Sequence, residues 1–197
     1  MTQLHRALLV IGILVLASAP ARSGPAAQIA PALEYRVLAT NRTATMEKEM
    51  NGAAQAGFRF RSVMGGETAI GGKEVVAVMA RVSGASRYHY RLLATNRTST
   101  MQRELQDAAE AGYEYRGQTV FETAFGGQEV VCILERDGEG KERSAVSYLL
   151  LATSRTGTLQ KELNDAGAKG YDLVGLTVGK TAAGGSELVA ITRRTAR

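Results

Sequence analysis

The sequence predicts an α+β protein built from three tandem βαββ repeats. Each repeat is expected to form a three-stranded antiparallel sheet in strand order 1-3-2 with one helix. Three observations predict this. A nine-residue motif occurs three times, as Leu38-Ala-Thr-Asn-Arg-Thr-Ala-Thr-Met46, Leu93-Ala-Thr-Asn-Arg-Thr-Ser-Thr-Met101 and Leu151-Ala-Thr-Ser-Arg-Thr-Gly-Thr-Leu159. Each copy lies near the start of the same 47-residue unit, Tyr35–Arg81, Tyr90–Arg136 and Tyr148–Arg194, and the units superpose without a gap. Within each unit one stripe of helical spacing sits among short apolar runs of strand length. A 47-residue piece alone buries little surface. Three of them on short connections are expected to share a core and unfold as one cooperative unit, the alternative being independent beads.

Residues 1–21 read as a secretory signal peptide. His5 and Arg6 form a weak basic region, Ala7–Leu16 is continuously apolar, and Ala19-Pro20-Ala21 offers a small-x-small cleavage site, with a second cut conceivable after Ser23. The apolar run falls short of the ~20 residues that span a bilayer, so no stable membrane span is expected after cleavage. No cysteine near the cleavage region offers a lipid-anchor site. Residues 22–34, rich in Ala and Pro and without periodicity, read as a disordered leader.

Repeat 1 opens on a strand at Tyr35–Thr40. A polar connection follows, whose threonines are expected to cap a helix over about Thr45–Ala56. Met46, Met50 and Ala53 form the helical stripe, and Gly57 is expected to end the helix with positive φ. The stripes of repeats 2 and 3 are Met101, Leu105 and Ala108, ended by Gly112, and Leu159, Leu163 and Ala166, ended by Gly170. An aromatic, Phe58, Tyr113 or Tyr171, then starts strand two. Glycine-rich turns at Thr68–Gly72, Thr123–Gly127 and Thr181–Gly185 lead into strand three.

The helix returns the chain, so strand two runs parallel to strand one, with strand three between them. Strand three is apolar at nearly every position, as in Val130–Leu134, which predicts cover on both faces. In repeat 3 the pattern strengthens: Leu149 replaces Arg36 and Arg91, Val174 replaces Arg61 and Arg116, and Leu176 and Val178 extend the apolar set. The sheets are therefore expected to face inward, toward one another or a partner subunit, with the helices outside.

Leu163-Asn-Asp-Ala-Gly-Ala-Lys-Gly-Tyr-Asp-Leu-Val174 resembles the signature L-N-x-x-G-x-x-G-W-E-L-V of a small bacterial βαββ family, a domain of unknown function whose hairpin ends in Arg. Ala54 and Ala109 stand where the first glycine of that signature falls, and Phe or Tyr replaces its Trp. The resemblance implies the fold and supplies no activity.

The chemistry-bearing residues are few. The formal charge of +5, or +4 after cleavage at Ala21, is mildly basic, and no Lys/Arg run is interleaved with aromatics, so no nucleic-acid partner is indicated. Three groups sit just before the helices: Thr40, Arg42 and Thr43; Thr95, Arg97 and Thr98; Thr153, Arg155 and Thr156. Helix-start N–H groups, hydroxyls and an Arg can hold a small anion, although threonine capping and a solvated or paired arginine explain the same pattern. Glu49, Glu104 and Glu162 border the stripes and are read as partners of Arg42, Arg97 and Arg155 rather than as acids or bases. Glu74, Glu129 and Glu187 read as charges at hairpin edges. Asn41-Arg-Thr43 and Asn96-Arg-Thr98 match the glycosylation sequon but read as polar turns.

Cys132 lies mid-strand, with Ala77 and Ala190 as its counterparts in the other repeats, and reads as an inert buried thiol. His89 has no second histidine in the mature chain to complete a metal set, and no Gly-x-Ser-x-Gly occurs. Ile70 and Phe125, at hairpin tips, read as contacts to a neighbouring unit or, if exposed, to another protein. The expected function is therefore an exported, non-catalytic interaction or structural module, periplasmic or secreted, with no cofactor and no metal. It would engage an unknown protein partner or itself. A small-anion binder is the alternative, and an enzyme is disfavoured.

Overall fold

The computed structural model describes residues 33–69, 72–82, 88–95, 97–122, 128–138, 145–180 and 185–195. The predicted hairpin tips Ile70 and Phe125, and residues 1–32 with the expected signal, lie outside them.

Repeat 1 comprises β1 (Tyr35–Thr40), α1 (Thr43–Gln55), β2 (Phe58–Thr68) and β3 (Gly72–Arg81). Repeat 2 comprises β4 (Tyr88–Thr95), α2 (Thr98–Glu110), β5 (Glu114–Glu122) and β6 (Gln128–Asp137). Repeat 3 comprises β7 (Val146–Thr153), α3 (Thr156–Ala168), β8 (Asp172–Lys180) and β9 (Ser186–Thr195). The sheets have orders β1-β3-β2, β4-β6-β5 and β7-β9-β8, antiparallel throughout, as the repeat pattern predicts. In every repeat the pairing of the second strand with the third carries a register shift at the same place, Phe60/Ser62, Tyr115/Gly117 and Leu173/Gly175, so the bulge is part of the repeat.

The helices begin two residues earlier than expected, and the predicted threonine caps are not made. Arg42, Arg97 and Arg155 occupy the N-cap positions with extended backbone and no side-chain cap. Thr40, Thr95 and Thr153 instead accept the N–H of those arginines, at 3.2, 3.1 and 3.3 Å. That local bond closes the turn ahead of each helix. The C-terminal ends follow expectation: Gly57, Gly112 and Gly170 have φ of +86°, +81° and +81°, which a Cβ would oppose.

The arginine that ends each unit returns to this cap. Arg81 and Arg36 flank the Phe58 ring, Arg136 and Arg91 flank Tyr113, and Arg194 covers Tyr171. Arg81 Nη1 also donates to the Ala56 carbonyl at 2.8 Å, one of the acceptors a helix end leaves open. Glu34, within the expected leader, is tied down by an ion pair with Arg81 and a backbone bond from Arg81 N.

The sheets share cores as a stack. The first core joins Met46, Met50 and Ala53 of α1 and Val75, Ala77 and Met79 of β3 to Tyr90, Val131 and Ile133 on the facing side of the second sheet. The second joins Met101, Leu105 and Ala108 of α2 and Val130, Cys132 and Leu134 of β6 to Tyr148 and Ile191 of the third. Strand β6 is thus covered on both faces, as its unbroken apolar run predicts. Helices α1 and α2 each fill one flank of the gap between their own sheet and the next, turning residues such as Lys48 and Arg103 to solvent, while α3 packs on its own sheet. On the other flank β2 lies directly against β5, and β5 against β8.

Candidate functional site

The joints between repeats hold the densest polar chemistry of the described residues. Equivalent positions are 55 residues apart between repeats 1 and 2 and 58 apart between repeats 2 and 3. In the first joint α1 reaches the free edge of β4. Glu47 Oε2 accepts Leu92 N at 2.8 Å, and Asn51 exchanges two bonds with the Tyr90 backbone at 3.0 and 2.9 Å. In the second, Gln102 accepts Leu150 N at 2.7 Å and donates to Tyr148 O at 2.9 Å, while Gln106 accepts Tyr148 N at 3.3 Å. Helix side chains thus satisfy a strand edge that would otherwise be left open.

A buried carboxylate lies at the centre of the first joint. Glu135 is 2% exposed. Arg59 grips it with Nε at 3.1 Å and Nη2 at 2.7 Å, Arg116 with Nε at 3.0 Å, and the Tyr90 hydroxyl donates at 2.8 Å. Glu135 holds the Arg59 guanidinium above its ordinary range through these bonds. Burial, above all, raises the Tyr90 hydroxyl well above its usual range. Sequence reading missed this cluster. Its signal is a charge reversal: Arg59 and Glu135 correspond to Glu114 and Arg193, which pair across the second joint at 3.7 Å.

Of the residues proposed from sequence, Arg42, Arg97 and Arg155 are exposed at the helix starts. Among the described residues no ion pair joins them to Glu49, Glu104 or Glu162. Thr95, Arg97 and Thr98 line a small cavity together with Val130, Val189 and the carboxylate-bearing Glu187. Two equivalent grooves run beside the helix starts. One is lined by Thr43, Glu47, Leu92 and Glu104, the other by Thr98, Gln102, Leu150 and Glu162. Each therefore presents at least one carboxylate, which opposes an anion.

Cys132 is fully buried with Sγ 3.9 Å from Met101 Sδ. Burial pushes its thiol up to about 12, with Glu104 adding to the rise, so it is a poor nucleophile at neutral pH. His89 is exposed on β4. Among the described residues no three His, Cys, Asp or Glu side chains are grouped to hold a metal, and no helix is long and apolar enough to cross a membrane.

Among the described residues, the exposed large apolar side chains lie at the two ends of the stack. Tyr35, Val37 and Met64 lie on the outer face of the first sheet, with Leu33 just before it, and Leu173, Leu176 and Val178 lie on β8. Among the described residues repeat 2 has none. No protein family, curated protein or solved structure matches the chain.

Proposed function

We propose that the chain is an exported, non-catalytic interaction or structural module acting in the periplasm or outside the cell. Residues 1–21 support export by their signal-like anatomy. The observation that carries the reading is the placement of exposed apolar residues at the two ends of the stack, with the middle repeat covered on both sides. Apolar faces left open in this way mark contact with another macromolecule. The polar side chains that could do chemistry, Glu135 and Tyr90 above all, are engaged in holding repeats together.

Photo-crosslinking in the native cell tests the reading. A photoreactive residue at Val37 or at Leu176 is expected to give discrete adducts, and one at Arg103, on the solvent side of α2, none. Absence of adducts from both ends overturns the module. Intact-mass measurement tests export separately: loss of residues 1 to about 21 is expected, and a full-length cytosolic product overturns it.

Anion binding is the second reading, favoured by the cavity that brings Thr95, Arg97 and Thr98 together at the start of α2. The Glu187 carboxylate in the same cavity ranks it below the first.

A further inference from the structure

We propose that the two ends of the stack bind each other between copies. Helix α3 and strand β8 of one copy dock on the outer face of the first sheet of the next, head to tail. This rests on the interaction-module reading and names its partner as a second copy of the same chain.

The chain makes the required joint twice within itself, and its ends carry the two unmatched halves of a third. In the internal joints Glu47 and Asn51, then Gln102 and Gln106, bond the edge-strand backbone at Tyr90 and Leu92, then at Tyr148 and Leu150. The next pair in the series is Gln160 and Asn164 on α3, both exposed. The next strand edge is β1 at Tyr35 and Val37, also exposed. Amides at Gln160 and Asn164 can donate and accept as Gln102 does.

The tyrosine that opens each repeat follows the same series. Tyr90 Oη accepts Phe60 N at 2.8 Å and Tyr148 Oη accepts Tyr115 N at 2.7 Å. By equivalence the Tyr35 hydroxyl would receive Leu173 N, at the exposed start of β8.

Packing is complementary as well. A Cβ on Gly117 would lie 3.2 Å from Phe60 and 3.6 Å from Val63; on Gly175 it would lie 2.3 Å from Tyr115 and 3.0 Å from Gln118. Large residues thus sit on a glycine floor in both joints. At the ends the floor is Ser62 and the covering pair is Leu173 and Leu176. A larger floor meets a shorter side chain in place of an aromatic ring, which conserves volume. Charge raises no objection: Asp172, equivalent to Arg59 and Glu114, would oppose the neutral Ala80. The contact is heterologous, so repeated addition gives a closed ring or an open filament.

Sedimentation velocity of the purified chain over a wide concentration range tests the proposal. Concentration-dependent association is expected. Val37→Glu and Leu176→Glu, at exposed positions, should each give a monomer with an unchanged circular dichroism spectrum. Mixing the two should give one-to-one dimers that grow no further, because each variant keeps the end the other lacks. A wild-type chain monomeric throughout overturns the proposal, whether another protein or the residues before Leu33 cover the face. So do variants that still associate, or a mixture that stays monomeric. A monomeric chain whose Val37 crosslinks to a different protein in the cell overturns self-docking and leaves the module reading intact.

Discussion

The Tyr90 hydroxyl donates to Glu135 Oε2 at 2.8 Å while accepting the Phe60 N–H at 2.8 Å. One side chain from β4 therefore satisfies both the buried carboxylate of its own sheet and a free edge group of the preceding one. The joint is built from atoms of both repeats and exists only when they are stacked.

Glu135→Gln should cost about 1.5–3 kcal/mol, the range for hydrogen bonds to charged groups. Breaking a fully buried ion pair costs more, about 3–5 kcal/mol. Here the stranded arginines are 33% and 36% exposed and can rehydrate, which keeps the loss lower. Urea unfolding measures it, and a neutral result would show that the cluster does not hold the joint.

Stability should fall at alkaline pH. Tyr90, Tyr115 and Tyr148 all have hydroxyls raised above the ordinary tyrosine range, chiefly by burial. Below pH ~10 each is protonated in both folded and unfolded chains and contributes no slope. Above it the unfolded chain releases these protons first, so unfolding is favoured by about 1.4 kcal/mol per pH unit for each tyrosine. Urea midpoints taken from pH ~9 to ~11 should drop accordingly. Tyr148→Phe should flatten that drop, at the cost of the bond from Tyr115 N.

The fold was legible because three copies of one pattern average out local ambiguity. The stripe Met101, Leu105, Ala108 and the terminating Gly112 recur at fixed spacing, and the unbroken run Val130–Leu134 identifies a central strand. Helix starts were less legible. The threonine preference for capping pointed to Thr43 and Thr45, whereas the bond from Arg42 N to Thr40 Oγ1 closes the turn earlier. The Glu135 cluster was hidden for a different reason. Arg59 lies 76 residues away in sequence, and only the stacking of one sheet's edge on the next sheet's face brings it near. The reversal from Arg59 and Glu135 to Glu114 and Arg193 is visible in the sequence, but it carries meaning only once those positions are known to face each other.

Leu105→Ala should cost about 2–5 kcal/mol, since the side chain is fully buried and its removal leaves a cavity. The second core that Leu105 joins includes Tyr148 and Ile191 of repeat 3, and the sheet it supports also faces the first core. Calorimetry should therefore show the whole of Leu33–Arg197 melting earlier in one transition. A separate early transition confined to the middle repeat would mean that the repeats unfold as beads.

The helix starts test the ranking of the two functional readings. If Arg42, Arg97 and Arg155 held anions, phosphate or sulfate would raise the melting temperature at low salt. Binding to the folded state alone stabilises by about 2.7 kcal/mol at a hundredfold excess over Kd. Chloride would erase the gain, because exposed charges are screened beyond about 8–10 Å. The arginines are exposed, the cavity beside Arg97 contains Glu187, and the two helix-start grooves contain Glu47, Glu104 and Glu162. At the starts of α1 and α2 a bound anion would meet a carboxylate, and among the described residues no ion pair holds Arg42, Arg97 or Arg155 in place to offset it. The expected result is no saturable shift with phosphate or sulfate. Replacing all three arginines with Gln should likewise change the melting temperature little, since exposed charges without a fixed partner contribute little to stability. A saturable rise that disappears in the triple variant would reverse the ranking and make the helix starts a ligand site.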